Sequence, residues 1–201
     1  MSNVAATWPT LLSVAGFRRF TPAQYHKLAD VGILLEGEPV ELIEGYLVEK
    51  PMKGPDHEAS MRRLTARLPR ILPAGYFTQF QGAVSLTSSE PEPDVSVLRG
   101  DETTCDGRLP DASDLVLVAE VSDSSLSYDR GEKTRIYARG GIPVYWVVNL
   151  VDRQIEVYTN PQPAANPPEY ATRTDYPHGG TVPVVLDGVT VATIPVADLI
   201  P

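Results

Sequence analysis

Seven residues near the middle of the chain, Leu115 to Val121 (LVLVAEV), form an almost unbroken apolar run. A run this short cannot span a membrane, and it carries no helical period. A strand reads this way when both of its faces are covered, as in the centre of a layered sheet. One residue does not belong in it. A carboxylate at Glu120 is largely buried, and an unpaired buried charge costs several kcal/mol. It must be protonated, paired with a cation or bound to a metal. Any fold for this chain therefore has to bring a compensating partner to that strand.

The flanking segments supply candidates. Downstream, Asp129 is expected to open a helix, with Glu132 as its reciprocal cap, and Gly140-Gly141 and Pro143 end it. VYWVVNL (144–150) reads as a second buried strand. RQIEVY (153–158) pairs with it after a turn at Val151-Asp152. Upstream, Thr21-Pro22-Ala23-Gln24 is a helix start: threonine caps, proline takes the first helical position and glutamine closes a capping box. That helix should stop before Gly32. VELIEGYLVE (40–49) reads as a hairpin turning at Glu44-Gly45. Residues 56–71 read as a second helix capped by Asp56. Leu64, Leu68 and Ile71 share one of its faces, Arg63, Arg67 and Arg70 another, and Pro69 ends or kinks it. FTQFQGAVSL (77–86) and DVSVL (94–98) read as strands, followed by a polar loop over 99–114.

From about Asn160 the composition changes. Eight of the 19 prolines fall in residues 161–201. The reading there is a loop followed by two short strands, TVPVVL and VTVATI, forming a proline-rich β cover. The expected organisation is an N-terminal arm over 1–20 and a single domain over 21–201.

The 201 residues carry a net charge of −9. That balance counts against a basic nucleic-acid coat or a membrane-surface protein. It does not exclude a nuclease, because divalent cations would offset part of it. The lone cysteine, Cys105, cannot form an internal disulfide, which points to a reducing compartment such as the cytoplasm. No run approaches the roughly 18 apolar residues of a membrane helix. With no early positive charge and Pro9 near its start, the N-terminus makes a poor secretory signal. Glycine-rich phosphate loops and cysteine–histidine zinc spacings are absent.

Two acids and a lysine frame the chemistry. Asp94 opens a strand directly after Pro91-Glu92-Pro93, and Glu120 lies on another. If those strands are neighbours, the two carboxylates can hold a hard divalent ion. The chain has only four lysines, at 27, 50, 53 and 133. Lys133 shares a helix face with Ile136, Tyr137 and Gly140, the inward face. It leaves the end of the Glu120 strand and can reach both acids. Acid, acid and lysine suit metal-assisted phosphodiester hydrolysis.

In this order Pro93-Asp94, Glu120 with Ser122, and Lys133 resemble the PD-(D/E)xK nuclease superfamily. The stretches VELIEGYLVE, PEPDVSVL, LVAEVSDSS, YDRGEKTRIYARGGIPVYWVVNL and IEVY are similar, in order, to the Uma family of restriction-endonuclease-like proteins, over roughly residues 20–200. The resemblance implies an α+β fold with an α/β core: a mixed β-sheet flanked by helices, with extra C-terminal β-hairpins. It implies a metal-dependent endonuclease acting on DNA, with Mg2+ or Mn2+ as cofactor. Glu41, Asp94 and Glu120 would be metal ligands, and Asp94, Glu120 and Lys133 the catalytic set. A homodimer follows by analogy with endonucleases that cut both strands. The chain departs from the superfamily at Ser122, where the usual lysine two residues after the second acid is missing.

Each residue also has a plainer reading. Asp94 serves as a turn acid, Glu120 pairs with an arginine, Lys133 snorkels to water, and Glu41 faces solvent. His57 reads as a surface histidine beside a helix start, and the arginine stripe as a solvated face. The alternative to an enzyme is a catalytically inactive nuclease-like binding or assembly module. Acids sealed by arginines, or a cleft plugged by the tail, would favour that alternative.

Overall fold

The computed structural model describes residues 18–35 and 37–201, so most of the expected N-terminal arm lies outside the described residues. In chain order the elements begin with α1 (Pro22–Asp30), β1 (Val40–Ile43), β2 (Tyr46–Glu49), α2 (Pro55–Ile71), β3 (Tyr76–Phe80), β4 (Val95–Arg99) and β5 (Leu115–Ser122). A helical run over residues 126–140 follows, made of α3 (Leu126–Tyr128), a π-helical turn (Asp129–Lys133) and α4 (Thr134–Gly140). Then come β6 (Val144–Asn149), β7 (Gln154–Gln162), β8 (Glu169–Pro177), β9 (Thr181–Leu186) and β10 (Val189–Pro195).

Six strands form a mixed sheet in the order β3-β4-β5-β6-β7-β8. Only β5 and β6 run parallel, and a parallel pair needs a crossover. The helical run 126–140 supplies it. Every residue of β5 and β6 is buried, as the unbroken apolar runs required. Strand alternation sorts their side chains between two layers. Leu117, Ala119 and Val121 pack with Met61, Leu64 and Leu68 of α2 and with the β9–β10 hairpin. Val118 and Tyr145 pack on the other face with Ile136 and Tyr137 of α4. Glu120, one residue on from Ala119, therefore faces α4.

Local signals formed as expected in several places. Thr21 caps α1 through a capping box closed by Gln24. Glu44 and Gly45 take positive φ of 49° and 84°, the two left-handed residues of a tight hairpin turn. Gly141 ends α4 at φ 71°.

Four expectations need correction. Gly54 rather than Asp56 is the N-cap of α2, and Asp56 lies inside the first turn. That helix ends at Ile71 as expected, with Pro69 inside its last turn. The segment after Asn160 is not a loop: β7 continues to Gln162, and β8 joins the main sheet as an edge strand. Asp129 does not cap the start of a helix. It sits within the helical run, and its carboxylate accepts the hydroxyls of Ser122 at 2.7 Å and Ser125 at 2.6 Å. The arginine stripe is not simply solvated either. Arg63 donates to the carbonyl of Ala197 and Arg67 pairs with Asp198, so the stripe ties the C-terminal turn to α2.

Candidate active site

Four chain segments meet at one end of the sheet. Glu41 comes from β1, Asp94 from the residue before β4, Glu120 from the end of β5 and Lys133 from the last position of the π turn. Together they line a single pocket.

Asp94 and Glu120 brace each other through the backbone. The Val121 amide donates to Asp94 Oδ2 at 2.9 Å, and the Asp94 amide donates to Glu120 Oε2 at 3.3 Å. The pairing of β4 with β5 fixes this reciprocity, since Val95 stands opposite Ala119. The other oxygen, Glu120 Oε1, accepts the Tyr137 hydroxyl at 2.7 Å and lies 3.2 Å from Lys133 Nζ. Lys133 also donates to Glu41 Oε2 at 2.7 Å. Glu41 Oε2 accepts in addition the Glu92 amide at 3.1 Å.

The π turn has a visible part in this. Side chains 118, 120 and 122 of β5 all face the helical run. Val118 packs in the Tyr137 layer, Glu120 meets Tyr137 and Lys133, and Ser122 meets Asp129. The extra residue in a π turn leaves a carbonyl without its usual helical partner. Here the Asp129 carbonyl takes the Thr134 amide instead and also accepts Tyr145 Oη at 3.1 Å and Thr134 Oγ1 at 2.8 Å. The turn is thus pinned from the sheet, and the lysine it carries points at the acids.

Charge is unevenly compensated. Burial pushes Glu120 up to about 8, Asp94, Asp129 and Glu41 push the same way, and Lys133 pulls against them. Burial works against the charge on Lys133, yet Glu120 and Glu41 outweigh it and raise it above an ordinary lysine. It stays an ammonium. Burial also opposes ionisation of Asp94, but His57, Lys53 and the Val121 amide hold it below the usual carboxylate range.

Sequence reasoning placed Glu41, Asp94, Glu120 and Lys133 together, and they are together. It missed three groups beside them. His57 is only 6% exposed, and its Nε2 lies 3.0 Å from Asp94 Oδ2. Because an ionised carboxylate only accepts, Nε2 carries the proton. Lys53 donates to Asp94 Oδ1 at 3.1 Å, and Lys50 pairs with Glu92. The signal available was scarcity: three of the four lysines face this pocket. Tyr128, which also lines it, was not singled out.

The lining holds no arginine and nothing from beyond Lys133, so the proline-rich tail does not plug it. The cavity measures about 70 Å3, room for a few waters or a partly hydrated ion but not for a nucleotide. Among the described residues no three histidine, cysteine or acidic side chains are placed together as metal ligands. Lys53 and Lys133 occupy oxygens of Asp94 and Glu41. The donor chemistry still fits a hard divalent cation. It is all carboxylate oxygen, and the three carboxylates of Glu41, Asp94 and Glu120 line the one pocket. Among the described residues, no helix is long and apolar enough to cross a membrane.

Comparison with known proteins agrees with this architecture. The family model described as "Uma2: Putative restriction endonuclease" matches residues 22–193. A solved structure, described as "a putative nuclease belonging to DUF820" from Anabaena variabilis, is similar over 84% of this chain and 94% of its own, with a TM-score of 0.57. Its sequence identity is 18%, so the likeness speaks for the fold. No curated protein matches the chain.

Proposed function

Since the chain belongs to the Uma2 family of restriction-endonuclease-like proteins, we propose that it is a metal-dependent endonuclease that hydrolyses DNA phosphodiester bonds. The observation that carries the reading is the convergence of Glu41, Asp94, Glu120 and Lys133 in one pocket free of arginine. Residues 21–201 act in it as one nuclease-like domain.

Glu41, Asp94 and Glu120 would hold the cation, Mg2+ or Mn2+. When bound, such an ion polarises a phosphoryl oxygen and lowers the pKa of a water. The remaining roles belong to the chain. Lys133 directs its ammonium at the charge that grows on the phosphate, or orients the attacking water. Tyr137 holds Glu120 Oε1 in place, and the Val121 amide does the same for Asp94. The reading places the protein in the cytoplasm, where Cys105 stays reduced, and as a homodimer when both strands are cut.

One observation favours the second reading, a nuclease-like binding module without turnover: Lys53 and Lys133 already neutralise Asp94 and Glu41. Titration calorimetry with Mg2+ and Mn2+ on wild type and Glu120→Ala, followed by plasmid cleavage on the same samples, separates the two. The nuclease binds metal, loses binding in the variant and stops cleaving in a chelator. Metal binding without cleavage selects the module. Absence of binding in wild type removes the metal site altogether.

A further inference from the structure

Resting on the nuclease reading above, we infer that residues 50–54 form a strap that grips the phosphodiester backbone of the nucleic acid, with Lys50 and Lys53 as its phosphate ligands. Neither lysine belongs to the acid–lysine constellation, and four observations converge on them.

The first is charge placement. The protein carries a net charge of −9 and only four lysines, yet Lys50, Lys53 and Lys133 all line one pocket. An acidic protein that binds a polyanion has to concentrate its cations where the polyanion lies. The second is exposure. Lys133 is sealed within the pocket, whereas the Lys50 and Lys53 side chains are 25% and 36% exposed. Between them Met52 is 95% exposed, so the strap stands at the mouth. A cavity of about 70 Å3 keeps the polymer outside, in reach of the strap.

The third is the start of α2. Its N-cap, Gly54, makes no side-chain cap and lines the pocket. First-turn amides have no partner within the helix, and this end carries the positive pole of the dipole. Asp56 and Glu58 of the same turn are exposed and do not line the pocket. The fourth is a pair of polar atoms left without partners. Among the described residues, His57 Nδ1 and the Tyr128 hydroxyl are buried and make no hydrogen bond, and both residues line the pocket. Buried polar atoms are almost always satisfied, so two orphans at one site mark room for a polar ligand.

The lysines are resting counter-ions that change partner. Lys50 leaves Glu92 and Lys53 leaves Asp94 for phosphate oxygens, and Asp94 becomes free for a cation. Nucleic acid and metal then strengthen each other's binding by the same factor.

The test is fluorescence polarisation with a labelled DNA duplex in Ca2+, measured across a salt series on Lys50→Gln/Lys53→Gln. Affinity should fall roughly tenfold, and the slope of log K against log salt should shrink by about two, one unit per phosphate contact. Lys50→Arg/Lys53→Arg should restore both, and Lys27→Gln, remote from the pocket, should change neither. Unchanged affinity and slope in the glutamine variant would overturn the strap while leaving the nuclease reading intact. Lower affinity with an unchanged slope would also overturn it, because the loss would then be structural. Wild type that binds no duplex in Ca2+ or Mn2+ would overturn the nuclease reading, and the strap with it.

Discussion

Two glutamates on the same face of the sheet, one strand apart, have opposite surroundings. Glu156 on β7 is fully buried and fully answered. Arg130 donates to both of its oxygens at 3.0 Å. Asn149 and the Tyr158 hydroxyl add 2.7 and 2.9 Å bonds, and Arg173 stands 3.3 Å away. These partners outweigh the effect of burial and bring Glu156 down to about 2. Glu120 on β5 is nearly as buried but receives one hydroxyl and one backbone amide and shares one lysine with Glu41. Burial wins there, and Glu120 is pushed up to about 8. A buried acid closed off by its own chain is architecture. A buried acid left under-compensated beside a cavity is a candidate for chemistry.

That contrast can be broken by experiment. The largest effect is expected at Lys133→Ala, where metal-dependent plasmid cleavage should fall by roughly a hundred- to a thousandfold, while the Glu156 network is untouched. Next comes Glu156→Ala. It strands Arg130 without its buried partner and should cost about 3 kcal/mol, read as a drop of roughly 6–12 °C in the melting temperature for a chain of this size. Cleavage by the protein that remains folded should persist. Glu120→Gln should do the reverse. At neutral pH it copies the protonated acid, so stability should stay within about 1 kcal/mol of wild type, while calorimetric metal binding disappears. A large stability loss in Glu120→Gln would erase the distinction between the two sites.

The smallest effect is in the pH profile of stability. Glu156 is depressed in the folded state, so its contribution is present above its ordinary value of 4.5 and is lost as pH falls from 4.5 towards 2. Glu120 is raised, so its contribution is present below 4.5 and is lost as pH climbs from 4.5 to about 8. Chemical denaturation across pH should therefore show Glu156→Gln flattening the acid limb and Glu120→Gln the neutral one.

Much of this was legible in the chain because the signals are local. The Thr21 capping box, the Glu44-Gly45 turn and the buried β5 and β6 runs are each written in a few adjacent residues. Glu120 stood out because an acid inside such a run demands a partner. β8 was hidden by its composition. In EYATRTDYP only Tyr170 is buried, so an edge strand that gains its pairing from β7 looks like the loop its prolines suggest. The π turn was hidden because its hydrogen bonds skip one residue further than helical periodicity encodes. Lys50, Lys53 and His57 were missed for a third reason. They lie on the link between β2 and α2 and in the first turn of that helix, where no repeating pattern reports which way a side chain faces.

The π turn has a consequence for how such a protein can change over generations. In a strand, a lysine two places from an acid moves with it, because both ride one pleat. Here the ammonium arrives on a separate stretch of chain, while Ser122 merely fastens that stretch in place through Asp129. The segment 123–125 can then be rebuilt, and with it the rim that meets a new substrate, without disturbing the spacing of Asp94 and Glu120. Lys133 and the acids are free to be inherited as independent parts.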